Sequence, residues 1–498
     1  MIDDMYKNVQ AKVNFGSIQT DFFNIDEGVK QGCVLSPVLF CIYINELTKL
    51  FKLHDVGVKI NHVKISSLFW ADDIVLLAND ELELQKMLDL AATFAQKWKM
   101  SFNHDKSNVL IVGKRMDSLR LWKLGESYIS EVNTYKYLGV TFSRNLSDHN
   151  HINEVIKTGN RLIGYVKSII DGHDDFQRVY YGDLLWKNLV LSSINYASAV
   201  WVPGGASDSK RIESLQYQMA RVILKAPRNT PLECLLGDLG WQPINLVQNK
   251  LRIKYLDRIQ KLPANRWPNL IFNVMHSLYN VNHMCDSNNL RWKWFVHMDH
   301  ALVECGMSHI FNVNPPTRNI KWINYFMNTS ENIANDKWLL SASSKSSLTD
   351  YVLIKSKPYL ENYLLCKVDF YGAALKFKAR SNTLPLNARI HSWKPNVDII
   401  CPLCNNDVDD LRHFLFLCSS LNCIRTDEYH KLQNRLVRQD LQCFWYLFIS
   451  GNLNVKMSLM LGVSDIINNV PLQSSFDVFC KSYLKRAWTS RTAMIDYV

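Results

Sequence analysis

Between residues 63 and 78 the chain reads VKISSLFWADDIVLLA, two short runs rich in Val, Ile and Leu interrupted by Ala71, Asp72 and Asp73. Apolar, β-branched runs joined by so brief a polar break predict a β-hairpin that carries the two acids at its tip. Upstream, SIQTDFFNID (17–26) alternates loosely as a strand does. GVKQGCVLSP then makes a Gly- and Pro-punctuated turn before VLFCIYINELTKLF, which reads as an apolar helix. After the hairpin, Asn79 or Asp80 is placed to cap a helix in which Leu84, Leu88, Ala91, Ala95 and Trp98 recur at three- and four-residue spacing. NVLIVG returns as a strand, and further strands are predicted around YKYLGVTF. Near residue 148 the texture changes to long helical periodicities, which predicts a domain boundary there. The Ser-rich stretch SASSKSSLTD (341–350) reads as a loop or linker, and no repeat of fixed period is visible.

Length and composition bound these elements. A chain of 498 residues exceeds one compact core, so about three domains are expected. With 47% hydrophobic and 21% charged residues it reads as globular, without a charged, weakly hydrophobic block of the disordered kind. The net charge of +11 and pI near 8.9 favour polyanionic partners without excluding an ordinary basic enzyme. The opening MIDDMYKNVQ has acids where a secretory signal carries cations, and no apolar run is long enough to cross a membrane. The expectation is an intracellular protein, nuclear or cytoplasmic, without a membrane partner. Twelve cysteines are too sparse for a disulfide scaffold in a chain of this length, so most are expected to be reduced.

Three groups of residues carry candidate chemistry. Asp72 and Asp73 can be plain turn formers, because Asp suits turns. They can equally be hard oxygen ligands for magnesium, since adjacent carboxylates repel unless a divalent cation neutralises them. The stretch CPLCNNDVDDLRHFLFLC spaces Cys401, Cys404, His413 and Cys418 as Cys-x2-Cys-x8-His-x4-Cys. Three thiolates and one imidazole complete a tetrahedral zinc site with no open position, so a structural zinc is expected. Cys423 falls outside that set and is assigned to packing. Just before it, KFKARSNTLPLNARIHSWK places Lys376, Lys378, Arg380, Arg389 and Lys394 among Phe377 and Trp393. Cations beside aromatic rings suit a single-stranded nucleic acid, with Trp393 stacking on bases; the alternative is a solvated basic face.

The order GVKQGCVLSPVLFCIYINEL, FWADDIVLLA, NHDKSNVLIVG, YKYLGVTF resembles the palm of non-LTR retrotransposon reverse transcriptases. LSSINYASAVW is similar to that family's thumb, and TLPLNAR with CPLC is similar to its C-terminal zinc element. The resemblance implies an α+β fold: a partial polymerase palm of antiparallel sheet and helices, a helical thumb, and a largely helical C-terminal domain with a small zinc-binding element. It divides the chain into a partial palm (1–147), a thumb-like helical domain (148–235), a helical connection region (236–375), the basic segment with the zinc element (376–425) and a helical tail (426–498). It implies that Asp72 and Asp73 ligate magnesium and that Gln31 and Gly32 lie beside the incoming nucleotide. By the same resemblance Lys106 meets the pyrophosphate leaving group, and Tyr137, Leu138 and Gly139 hold the primer end; a solvated lysine and a plain strand turn are the alternatives at those positions. The partners implied are an RNA template, a DNA primer and nucleotides.

Two departures shape the expectation of function. Trp70 stands where the family mostly carries tyrosine or a smaller residue, close to the primer terminus. The family's first catalytic aspartate belongs to a motif tens of residues upstream of the GVKQG turn, and MIDDMYKNVQ matches the helix after that motif. Asp3 and Asp4 open that helix, where acids are commonplace. The expected protein is therefore a reverse transcriptase-like chain that starts after the family's first catalytic strand, either as a truncated copy or as a fragment of a longer gene, and that does not polymerise alone. The competing classes are a non-enzymatic nucleic-acid-binding remnant and a zinc-stabilised interaction module.

Overall fold

The structure is a computed structural model that describes residues 2–495 apart from 26–27, 31, 61–62, 114–120, 172–176, 283–291, 309–320, 366–368 and 467–468. The chain divides into two compact units. The first comprises Met1–Lys136 with Ser143–Leu146 and Leu270–Leu278, and the second Tyr137–Phe142, Ser147–Asn269 and Tyr279–Val498.

In the first unit the expected helices form as Ser36–Leu53 and Glu81–Lys97. The second starts where a cap was expected: Asp80 is extended, and its carboxylate accepts the Glu83 N–H at 2.8 Å. Ile44, Leu47 and Phe51 on one helix meet Met87, Leu88, Ala91 and Phe94 on the other, closed over by Trp122, Leu124 and Ile129. Each Leu, Ile, Met or Phe among them, fully buried, contributes on the order of 2 kcal/mol. The strands are short. Val58–Ile60 pairs with Val63–Ile65 and Ser67–Trp70 with Asp73–Leu76, both antiparallel. Ser127–Glu131 lies antiparallel to Trp122–Leu124 and parallel to Asn108–Val109. The strand expected over 17–26 is not continuous: Ile18–Gln19 pairs with Asn14–Phe15, and Phe23–Asn24 pairs with Gln10–Ala11. Phe15, Ile18, Phe22 and Phe23 are all exposed, so no buried face fixes the register of one longer strand.

The second unit is helical around one continuous apolar core. His149–Asp171 lays Ile152, Val155, Ile163 and Val166 against Ile212, Leu215, Met219 and Ile223 of Ala206–Leu224. Gly159 allows that approach, because a Cβ there would stand 2.7 Å from Leu215 Cδ1. A π-helical turn at Trp186–Val190 follows the Arg178–Leu185 helix and stacks Trp186 on Trp241 at 4.8 Å and 17°. The same core runs through Phe370–Arg380 and the helices Asn422–Arg438, Leu453–Ile466 and Val470–Ile495.

Several expectations change here. The boundaries at 235/236 and 375/376 fall inside the helices Leu232–Leu239 and Phe370–Arg380. The Ser-rich stretch is not a linker: Lys321–Ser343 runs into it as helix, and Leu348 and Tyr351 are buried in the core. Ser343, Ser344 and Ser346 are exposed, while Ser341 is half-buried and donates to Glu233 at 2.6 Å. Among the described residues no helix is long and apolar enough to cross a membrane.

Candidate functional site

The acid-bearing hairpin forms with a two-residue turn. Ser67↔Leu76, Leu68↔Val75, Phe69↔Ile74 and Trp70↔Asp73 are paired, leaving Ala71 and Asp72 as the turn, with Ala71 at φ 52°. Phe69 and Ile74 pack on the core of the first unit, which anchors the hairpin by one face. Asp72, Asp73 and Trp70 are exposed at its end, Trp70 by 65%. Both carboxylates are thus exposed to a hard cation, yet both come from one hairpin.

Lys106 is exposed in the turn before Asn108–Val109. Its N–H donates to Asn103 Oδ1 at 3.1 Å and its carbonyl accepts the Tyr135 hydroxyl at 3.1 Å, so the backbone is fixed while the ammonium is exposed. Gly32 has φ +78° and would admit a Cβ without contact, so its backbone is open to a close neighbour; Gln31 lies outside the described residues. Tyr137 is half-buried, and Leu138 and Gly139 form the turn of a hairpin between Thr134–Tyr137 and Val140–Ser143. Within the second unit Tyr196 lies against this turn: its hydroxyl donates to the Leu138 carbonyl at 3.0 Å, and a Cβ on Gly139 would stand 2.7 Å from its ring at φ +79°. Glycine is therefore required both by conformation and by the ring beside it.

Cys401, Cys404, His413 and Cys418 converge, with one ligand atom from each within 4.8 Å of all the others. The Cys401 and Cys418 sulfurs are 3.9 Å apart, and Cys404 Sγ is 3.4 Å from His413 Nε2. Zinc–sulfur bonds of about 2.3 Å and zinc–nitrogen bonds of about 2.0–2.1 Å imply tetrahedral edges of about 3.8 Å and about 3.6 Å, so the donor set fits one such ion. The CxxC loop is shaped by a bridge between Ile400 and Val408 and by the Cys401 N–H donating to the Asp407 carbonyl at 2.8 Å. A π-helical turn, His413–Leu417, brings His413 and Cys418 round to the same side. Burial pushes the Cys401 thiol up to about 12 and raises that of Cys418. At Cys404 the burial penalty is outweighed by the Asn406 and Asp407 N–H groups, and the thiol goes down. Cys423 is exposed, so its assignment to packing is corrected: it starts a helix on the outer side.

This element is knit into the C-terminal helices. Asp409, buried, accepts from Arg491 and from the Asn387 N–H, and the Tyr483 hydroxyl donates to the Phe414 carbonyl at 2.8 Å. Phe414 also meets Trp488 edge-on.

The basic run divides. Lys376 and Arg380 are 1% and 2% exposed, which removes them from any nucleic-acid surface. Lys376 Nζ pairs with Asp477 at 2.5 Å. Arg380 grips Asp238 with Nε at 2.8 Å and Nη2 at 2.9 Å and reaches Glu361 at 2.7 Å. Most of the helix Phe370–Arg380 is buried, so its two buried cations, Lys376 and Arg380, need partners, and both find acids distant in the chain. Lys378 and Arg389 are half-buried. Trp393 and Lys394 are exposed, with the ammonium 5.4 Å from the indole centroid. Sequence reasoning missed the centre on Asp238, which also accepts the Tyr351 and Tyr363 hydroxyls at 2.9 and 2.7 Å.

With this geometry in view, residues 1–142 match the family model described as reverse transcriptase (RNA-dependent DNA polymerase), and they form a reverse transcriptase domain. The chain is 24% identical over 259 residues to the probable RNA-directed DNA polymerase from transposon X-element of Drosophila melanogaster, covering 50% of this chain and 27% of that one. It is 27% identical over 254 residues to the RNA-directed DNA polymerase from mobile element jockey of Drosophila funebris, covering 48% and 26%. A third relative is the retrovirus-related Pol polyprotein from type-1 retrotransposable element R2 of Popillia japonica, 32% identical over 151 residues, covering 28% and 24%. These matches support a likeness to the reverse transcriptases of non-LTR retrotransposons. It spans about a quarter of the length of the curated relatives it matches.

Proposed function

We propose that this chain is part of an RNA-templated DNA polymerase in which Asp72 and Asp73 serve two-metal nucleotidyl transfer. We propose also that the 498-residue polypeptide on its own binds nucleic acid without extending a primer. The observation that carries the reading is the exposed acid pair on a tight hairpin inside the segment that matches the reverse transcriptase family. Divalent cations, magnesium in this reading, supply charge neutralisation at the attacking and leaving oxygens when bound. Asp72 and Asp73 would hold them, and Lys106 would neutralise the pyrophosphate. Gln31 and Gly32 would lie beside the nucleotide, and the Tyr137–Gly139 turn would support the primer end. In-line transfer needs carboxylates converging from separate strands, whereas these two share one hairpin. That argues for inactivity of the isolated chain.

Zinc is the ion proposed for the Cys401, Cys404, His413 and Cys418 set, closed and structural, with no position left for a substrate. Trp393 and Lys394, both exposed, are the proposed contact for single-stranded RNA or DNA, with the half-buried Lys378 and Arg389 as further candidates. The test is primer extension on an RNA template with magnesium or manganese. No extension is expected, together with measurable template binding. Extension that is abolished by Asp72→Ala would overturn the inactivity and leave the acid pair as the catalytic one.

A further inference from the structure

His413 has one nitrogen that the ligand set does not explain. The residue is 3% exposed, and its Nε2 faces Cys404 Sγ at 3.4 Å, whereas its Nδ1 is buried without a hydrogen-bond partner. A neutral imidazole that ligates through Nε2 carries its proton on Nδ1, and a buried N–H without an acceptor is costly. Three acids in the loop DVDD stand near enough in sequence to serve it. Asp409 is engaged by Arg491 and by the Asn387 N–H. Asp410 Oδ1 accepts the backbone N–H of His413 itself at 2.7 Å. Asp407 remains, with Oδ2 3.8 Å from His413 Nδ1.

The backbone of Asp407 is fixed from both ends. Its carbonyl accepts the Cys401 N–H, and its own N–H is directed at Cys404. Its side chain is 70% exposed, so packing does not prevent the carboxylate from closing the remaining gap. We propose that Asp407 is the positioning residue of this metal centre: its carboxylate accepts the His413 Nδ1–H, fixes the Nε2-ligating tautomer and sets the ring angle. The proposal rests on the zinc reading above. Ligating histidines commonly depend on such an outer partner, whose loss weakens metal affinity by about 10–100-fold.

The experiment uses the full chain as wild type, Asp407→Ala, Asp407→Asn and Cys418→Ser. Zinc affinity is read by chelator competition, and cobalt(II) is substituted to read the ligand field from its visible bands. The expected result is one zinc per wild-type chain, an affinity lowered about 10–100-fold in Asp407→Ala, partial recovery in Asp407→Asn, and a shifted cobalt spectrum in the alanine variant. The asparagine keeps an acceptor oxygen at the same reach, so its recovery distinguishes an acceptor role from loop shape. Equal affinity and an identical cobalt spectrum in wild type and Asp407→Ala would overturn the proposal and leave the zinc reading intact. An alanine variant that melts earlier while its cobalt spectrum stays unchanged would also overturn it, since Asp407 would then only shape the loop. A wild-type chain that binds no more zinc than Cys418→Ser would remove the zinc reading, and this proposal with it.

Discussion

Replacing Arg380 with alanine distinguishes a surface cation from a buried one. On an exposed basic face the change would weaken nucleic-acid binding and leave stability alone. In the structure Arg380 lies inside the second unit, where it donates to both oxygens of Asp238, to Glu361 and to the Leu461 carbonyl. Burial by itself would raise the Asp238 carboxyl, but the guanidinium outweighs that and holds it below its ordinary range. Truncation leaves a fully buried carboxylate with only the two tyrosine hydroxyls and leaves Glu361 with Lys355 at 2.6 Å. Breaking such a buried pair costs about 3–5 kcal/mol, and no solvent is present to screen it. Arg380→Lys recovers little of this, since one ammonium cannot reproduce a fork that spans two acids and a carbonyl. The assay is urea denaturation followed by circular dichroism, beside fluorescence anisotropy on a single-stranded RNA. A large fall in the denaturation midpoint is expected, with affinity unchanged under conditions where the variant is folded. A variant as stable as wild type to within 1 kcal/mol that loses RNA binding would refute the placement.

Cys418→Ser is expected to lose the bound zinc and to expose the 395–425 region to protease, whereas Cys423→Ser, altering an exposed sulfur, does neither; equal zinc content in wild type and Cys418→Ser by elemental analysis would contradict this. Because Asp409, Phe414 and the C-terminal helix share contacts, loss of zinc should also loosen Val470–Ile495, read by hydrogen exchange. Burial, with Arg252, His300 and Lys293 nearby, pushes His297 down to about 4. The unfolded chain therefore binds the extra proton first, and the stability present above pH ~6.5 falls as pH drops toward 4, by about 1–3 kcal/mol once partial exposure is discounted. His297→Gln should flatten that slope, and an unchanged slope would refute the assignment. Trp393→Ala with Lys394→Ala should weaken single-strand binding, and loss of the lysine should reduce the log–log salt slope by about 0.7; an unaltered slope would take Lys394 out of the interface.

What could be read from the sequence was local. The acid hairpin follows from two β-branched runs and a short break, the helix start from Asp80, and the convergence of Cys401, Cys404, His413 and Cys418 from a spacing that closes within one loop and one turn. What could not be read depended on distant partners. Arg380 meets Asp238 across 142 positions and Lys376 meets Asp477 across 101, and nothing in KFKAR distinguishes a cation aimed at solvent from one aimed at such a partner. Ser341–Asp350 failed for the same reason: its exposed serines reported the solvent side, while Ala342, Leu348 and the Ser341 bond to Glu233, 108 positions away, carried the buried one. The nucleotide, primer and template roles came from resemblance, and the exposure of Asp72, Asp73 and Lys106 supports them as proposals.

Iron(II)-directed cleavage tests the assignment of Asp72 and Asp73 most directly. With the chain loaded with zinc, iron(II) replaces magnesium at hard oxygen sites, and ascorbate with peroxide then cuts the backbone beside each bound ion. The account predicts scission around residues 70–75 that is suppressed by excess magnesium and lost in Asp72→Ala/Asp73→Ala. An uncut hairpin, or cutting there that persists without both carboxylates, would contradict it.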